Sequence, residues 1–216
     1  MHPGYSWRVK PENFELLQTG LKALELKPPK GALERLVGYH DYLLEYNQNV
    51  NLTGFRDERE SVIKNLLNSL APWRYIDASR ATADIGSGGG MPGIPLAIAL
   101  GMERLALVET KNKKCEFLRI ACRRYVPKVE VLQQDAHEIR RSFGQVVSIA
   151  YGTLDKLVQA TTHMRAPGSR ILAWKGRLES VQAEIEACTG RFRKWKVEPF
   201  EVPELDAQRH LCILQV

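Results

Sequence analysis

The sequence predicts a doubly wound α/β fold: a mostly parallel sheet with helices on both faces, closed by a C-terminal antiparallel hairpin and preceded by a helical cap. Three patterns predict it. Apolar residues before position 81 recur only at helical spacing, and beyond 81 short apolar runs alternate with helical stretches. At the end, Phe192–Val202 and Leu211–Val216 are two runs able to pair across the turn Pro203–Arg209. The natural division is a cap over residues 1–80 and a sheet domain over 81–216.

In chain order, Phe14, Leu17, Leu21 and Leu24 mark a first helix, and Leu33, Leu36, Val37, His40, Leu43 and Leu44 a second. Pro28-Pro29 separates them, because proline removes a donor and clashes with the preceding turn. A third helix begins near Asp57 and carries Val62, Leu66 and Leu70. Strands are expected at Thr82–Ile85, Leu105–Val108, Val129–Leu132, Val146–Ile149 and Ile171–Trp174. The helix Lys113–Tyr125 places Phe117, Leu118, Ala121, Cys122 and Tyr125 on one stripe and most of its cations on the other side.

The chemistry concentrates in Asp84-Ile85-Gly86-Ser87-Gly88-Gly89-Gly90-Met91-Pro92-Gly93, between the first strand and a helix. An α/β sheet presents its ligand crevice at such a junction, and glycines let the backbone approach a ligand closely. Pro92 is suited to opening the helix, where a missing N–H costs nothing. Two cofactors compete for the loop. Gly88, Gly90 and Gly93 satisfy the dinucleotide pattern G-x-G-x-x-G. Against it stands Asp84, whose carboxylate repels a pyrophosphate but accepts from the ammonium of S-adenosylmethionine (SAM). Glu109 ends the second strand, where an acid takes both ribose hydroxyls of either cofactor. Gln134-Asp135-Ala136-His137 follows the third strand, where adenine is gripped in methyltransferases. The balance favours SAM over NAD.

These residues resemble the bacterial RsmG (GidB) methyltransferases along nearly the whole chain. Asn47-x-x-x-Asn51-Leu52-Thr53 is similar to that family's N-terminal signature, and Asp84 through Leu96 to its glycine loop, including the specific continuation Pro92-Gly93-Ile94-Pro95-Leu96. Lys113-Lys114 with Phe117-Leu118, Lys175-Gly176, and Arg209-His210-Leu211 resemble its later motifs. The resemblance implies a class I SAM-dependent methyltransferase fold. It also implies N7-methylation of one guanine in the decoding region of 16S rRNA, on rRNA or the 30S subunit. Gly86, Gly88 and Met91 would then border the methionine part of SAM, with Asp84 accepting from its ammonium. Glu109 would hold the ribose, and Asp135, Ala136 and His137 would lie at the adenine. Lys175, Arg209 and His210 would contact rRNA phosphate or, equally well, serve the surface or the structure.

No catalytic residue is expected, since guanine N7 carries a lone pair and no proton, and positioning supplies most of the rate. In keeping with this, the chain has no Asn/Asp-Pro-Pro-aromatic motif and no cysteine preceded by proline. Four positions depart from the family. Ile149 stands where an arginine would neutralise the carboxylate of SAM, a contact worth about 1.5–3 kcal/mol. Asn65 and Asn68 replace a histidine and an aspartate, and Asp135 replaces a frequent arginine. A relative that binds RNA or the ribosome without catalysis is therefore the alternative reading.

Composition sets the outer bounds. The chain has 216 residues, 31 Lys and Arg against 25 Asp and Glu, and 44% hydrophobic residues, an ordinary soluble make-up. Seven basic residues between Lys111 and Lys128 face only Glu116, and Arg191-Phe192-Arg193-Lys194-Trp195-Lys196 interleaves cations with aromatics. Such clusters suit a phosphate backbone, or else a solvated helix face and a charge-protected edge strand. Cys115, Cys122, Cys188 and Cys212 have no metal spacing and fit a reducing compartment. The apolar run Ile94–Leu100 falls short of the ~20 residues of a membrane span, and MHPGYSWRVKPENF has no signal-peptide core. A cytoplasmic monomer without metal is the expectation. His40, His163, Trp73 and Trp174 read as packing or helix-end residues, whereas Trp195 suits exposed stacking.

Overall fold

The computed structural model describes residues 11–55 and 57–215, so most of the N-terminal stretch read for a signal lies outside the described residues. The cap opens with α1 (Pro11–Ala23) and α2 (Ala32–Asn47). Next come α3 (Glu58–Ser61), a π-helical stretch (Val62–Leu67) and α4 (Asn68–Leu70), which follow one another without a break. Asp57 starts this run by accepting from the Glu60 N–H at 2.8 Å. Gly20 lets α1 lie on the π stretch, since a Cβ there would stand 2.6 Å from Leu67 Cδ1.

The sheet and its helices follow as β1 (Thr82–Ile85), α5 (Gly93–Leu100), β2 (Leu105–Val108), α6 (Asn112–Tyr125) and β3 (Glu130–Leu132). Then come β4 (Phe143–Ile149), α7 (Leu154–Thr161), β5 (Arg165–Lys175), α8 (Leu178–Ala187), β6 (Lys194–Pro199) and β7 (His210–Gln215). The seven strands lie in the order β3-β2-β1-β4-β5-β7-β6. The first five are parallel, and β7 runs antiparallel to both β5 and β6. This is the doubly wound sheet with a terminal hairpin that the sequence predicts.

β4 and β5 begin earlier than their apolar runs suggest, and Gln145 and Arg170, polar residues just before those runs, are paired across the two strands. Gln145 is buried, donates to Thr82 Oγ1 at 3.1 Å and accepts from Arg170 at 3.1 Å. One core joins the cap to the sheet, running from Leu17, Leu36, Leu43 and Leu66 through Ile94 and Phe117 to Leu107, Val147 and Leu172. Phe117 of α6 stacks on Tyr42 of α2 at 5.1 Å, so α6 is packed between sheet and cap. On the opposite face Ala83, Ile85, Ala106 and Val146 pack against Leu157 and Val158 of α7 and Val181 and Ile185 of α8.

Sheet order reverses between β1 and β4, the switch point where an open α/β sheet leaves a crevice at its carboxyl edge. The register brings Lys175, the last residue of β5, and His210, the first of β7, to that same edge.

Candidate functional site

The loop after β1 is held from below, from the cap and from β2. Asp84, fully buried, accepts from the Gly93 N–H at 3.1 Å through Oδ2, and its Oδ1 is buried with no hydrogen-bond partner. Burial pushes its carboxyl well above the usual carboxylate range, only partly offset by the Gly93 and Ser87 hydrogen bonds. Ser87 Oγ donates to the Asp84 carbonyl at 2.9 Å. Gly93 has no alternative, because a Cβ would stand 2.5 Å from Leu107 Cδ2 and 2.7 Å from Asp84 Oδ2. Gly86 adopts φ +70°, a left-handed conformation open to glycine.

From the cap, the Tyr39 hydroxyl donates to the Gly89 carbonyl at 2.5 Å and lies 3.0 Å from Met91 Sδ. Burial, reinforced by Asp84, holds the Tyr39 phenol protonated far above its ordinary range. The Asn-Leu-Thr signature supplies a second support. Asn47 Oδ1 accepts from the Leu52 and Thr53 N–H groups at 2.8 and 3.0 Å, which places the Leu52 carbonyl against Gly89. A polar chain continues from Thr53 through Asn65 to Ser61, which shares a 2.9 Å hydrogen bond with His40 Nε2. His40 is buried, and desolvation lowers its pKa to about 4, so it stays neutral.

At the end of β2, Glu109 is nearly buried and accepts from three N–H groups: Gly88 at 3.1 Å, Thr110 at 2.8 Å and Lys111 at 2.9 Å. It thereby ties the glycine loop to the start of α6. Beside it opens a crevice of about 60 Å³ lined by Ile85, Gly86, Val108, Glu109, Thr110, Gln134, Ala136 and Tyr151. Among the described residues its lining contains one acid and no Lys or Arg. A negative, hydroxyl-accepting site of this kind suits a cationic nucleoside and opposes a pyrophosphate.

The sequence-predicted site residues divide accordingly. Gly86, Glu109 and Ala136 come together in the crevice wall. Asp84 lies beneath the loop and does not reach the crevice, so its place is that of a loop anchor. Gly88 meets Glu109 through its N–H, and Met91 faces Tyr39 of the cap. Asp135 and His137 are exposed, and Asp135 Oδ1 caps a short 3₁₀ turn by accepting from the His137 N–H at 2.9 Å.

Lys175 is held inside, donating to the Gly152 carbonyl at 2.9 Å and pairing with Glu184 at 2.7 Å with 13% of its side chain exposed. His210 is buried and donates from Nδ1 to the Gly176 carbonyl at 2.6 Å. Arg209 is half-buried and reaches the Gln208 carbonyl. On α6, Lys113 and Arg123 are exposed, as is Lys111 before it. Ile149 packs against the cap-facing core opposite Trp174. Asn68 accepts from Trp174 Nε1 through its carbonyl at 2.9 Å, while its side-chain Oδ1 is buried without a partner. Among the described residues no cluster of three metal-ligating side chains occurs, and no helix is long and apolar enough to cross a membrane.

Tyr151, like Thr110, is a wall residue that the sequence reading missed. It follows the fourth strand, so the signal that would have found it is its place at the switch point rather than any motif. Its ring lies on Gly86, where a Cβ would stand 2.7 Å from Tyr151 Cδ2. Lys156 Nζ sits 5.3 Å from the ring centroid, and burial followed by the charge of Asp135 raises the pKa of the phenol.

Comparison with known proteins agrees with this geometry. A family model described as rRNA small subunit methyltransferase G matches residues 32–212. A ribosomal RNA small subunit methyltransferase G from Xanthomonas campestris pv. campestris is 35% identical over 95% of this chain and 96% of its own. The protein of that name from Aromatoleum aromaticum is 36% identical, covering 92% and 97% respectively. Among solved structures, a ribosomal protein L11 methylase from Lactobacillus delbrueckii subsp. bulgaricus superposes with a TM-score of 0.55. It is 11% identical, with 76% of this chain and 88% of that one covered, a likeness of fold alone.

Proposed function

Because the chain belongs to the rRNA small subunit methyltransferase G family, we propose that it transfers a methyl group from SAM to N7 of one guanine in 16S rRNA, within the decoding region. The observation that carries the reading is the crevice at the β1/β4 switch point, with Glu109 as its acid and no cation in its wall. When bound, SAM supplies a methyl carbon activated by a sulfonium. The chain's own residues then bind and orient. Glu109 has about four acceptor sites and three N–H partners, two on Oε1 and one on Oε2, which leaves Oε2 able to accept from a ribose hydroxyl. Gly86 admits ligand backbone-close, and Ala136 leaves room for a flat base.

Guanine N7 needs no general base, and of the crevice's lining side chains the one carboxylate, Glu109, has most of its acceptor capacity taken by N–H donors. Holding the reactants in line and shedding water supply the rate. Lys111, Lys113, Arg123 and Arg209 are the cations placed to meet rRNA phosphate. Lys175 and His210 act instead by fixing the backbone at the carboxyl edge. A monomer acting in the cytoplasm on rRNA or the 30S subunit completes the reading.

Ile149 and Asn68 favour a second reading, a non-catalytic binder of the same RNA, since neither supplies a charge at the crevice. Reductive cleavage of 16S rRNA at N7-methylguanine, compared between cells with and without the gene, separates the two. A cleavage site present only with the gene supports methyl transfer. Identical patterns remove it.

A further inference from the structure

The crevice has about 60 Å³ of space, whereas pockets for small ligands run to ~300 Å³ or more. The crevice is open on one side, and a cofactor seated against Gly86 must displace what lies on that glycine; the walls differ in what they can do. Gly86 has no side chain, Ala136 is small and buried, and Ile85 and Val108 belong to strands. Glu109 is held by three N–H groups. Thr110 and Gln134 are exposed at the rim and do not lie on Gly86, whereas Tyr151 is half-buried, with a ring that swings on two torsions and lies directly on that glycine.

The backbone beneath Tyr151 is fixed by comparison. Ala150 at φ +60° and Gly152 at φ +102° flank it, and a non-glycine residue held in left-handed backbone marks an over-determined turn. Lys175 holds the Gly152 carbonyl and is itself paired with Glu184, whose Oε2 also accepts from the Leu154 N–H at 2.6 Å. Thr153 caps α7 by accepting from the Lys156 N–H.

β4 ends beside β1, so a ring displaced from Gly86 stays at the rim of the crevice. Resting on the methyl-transfer reading, we infer that Tyr151 fills the cofactor crevice when it is empty and, once the cofactor displaces it, forms the flat face against which the guanine is positioned. The base is accordingly accepted only after the cofactor. Stacking of a base on an aromatic ring is worth roughly 5- to 100-fold in binding.

Three variants separate bulk from flatness: Tyr151→Phe keeps both, Tyr151→Leu keeps bulk alone, and Tyr151→Ala keeps neither. Cofactor Kd is read by calorimetry, and kcat and KM by labelled methyl transfer to 30S subunits. Tyr151→Phe rescues both readouts to within about twofold of the unaltered protein. Tyr151→Leu keeps the cofactor Kd but raises KM for the subunit roughly tenfold. Tyr151→Ala binds the cofactor several-fold more tightly while transfer efficiency falls about tenfold or more. Unchanged transfer in Tyr151→Ala or full activity in Tyr151→Leu overturns the inference, as does parallel loss of cofactor affinity and transfer in Tyr151→Ala. If the unaltered protein transfers methyl and Tyr151→Ala matches it, only this inference falls; if the unaltered protein transfers none, the proposed function falls with it.

Discussion

Two neighbouring strands end at the crevice, and the segments that follow them are built in opposite ways. After β1 the backbone itself is the device: Gly86, Gly88 and Gly90 at positive φ, Gly93 against Leu107, and hydrogen bonds accepted by Asp84 and Glu109 and donated by Tyr39 leave little freedom. After β4 the backbone is stapled from outside by Lys175 and Glu184, and what it presents is a side chain, Tyr151. The first segment specifies a shape for any cofactor of the class. The second is where a member can change its substrate handling without disturbing the fold.

Glycine substitutions test the contrast most strongly. Gly93→Val drives side-chain atoms into Leu107 and Asp84 and should lower stability by about 3 kcal/mol in urea unfolding. Gly152→Ala meets only Lys156 Cδ at 3.4 Å, so left-handed strain of about 1 kcal/mol is the whole expected cost. Equal losses at the two positions would erase the distinction.

Acid reaches the first segment through its support in the cap. His40 has a folded pKa of about 4 against 6.5 unfolded, so the stability it contributes is complete above pH 6.5 and declines as pH falls from 6.5 to 4. The loss amounts to about 3 kcal/mol at the lower limit. Asp84, raised by burial, gives the opposite slope above its unfolded value of 3.8. The difference in slope between the unaltered protein and His40→Gln isolates the histidine, and a wild-type slope in that variant would exclude it.

Glu109→Ala removes the acid of the crevice together with its three N–H contacts, and the expected rise in cofactor Kd is about 30-fold. Glu184→Gln leaves Lys175 partly buried beside a neutral partner, with a loss of about 1–2 kcal/mol in stability and a smaller change in cofactor Kd. A larger cofactor effect at Glu184 than at Glu109 would reverse the assignment of roles. The smallest effect is expected on α6. Lys113→Gln with Lys114→Gln should leave unfolding unchanged while lowering the salt slope of rRNA binding by roughly 0.7–0.9 for each phosphate no longer neutralised.

Much of the first segment was legible in the sequence because its requirement is backbone geometry, which glycine alone meets at Gly86 and Gly93. Glu109 was legible as an acid closing a strand. Asp84 was legible as a special position, whereas its hold on the Gly93 N–H from beneath the loop shows only in the fold. Lys175 and His210 were open in the sequence between phosphate contact and a surface or structural role, and in the fold each satisfies a carbonyl of a neighbouring turn. Tyr151 left no trace in periodicity or spacing, because its importance comes from the adjacency of β1 and β4, which are distant in sequence. The early starts of β4 and β5 were hidden for a related reason: Gln145 and Arg170 are polar residues that satisfy one another.

Methyl transfer from SAM to guanine N7 is tested most directly with purified protein, methyl-labelled SAM and unmethylated 30S subunits. Close to one methyl per subunit is expected, revealed as a single 16S rRNA break by borohydride and aniline. Label incorporated without that break, or no incorporation while SAM still binds, would contradict it.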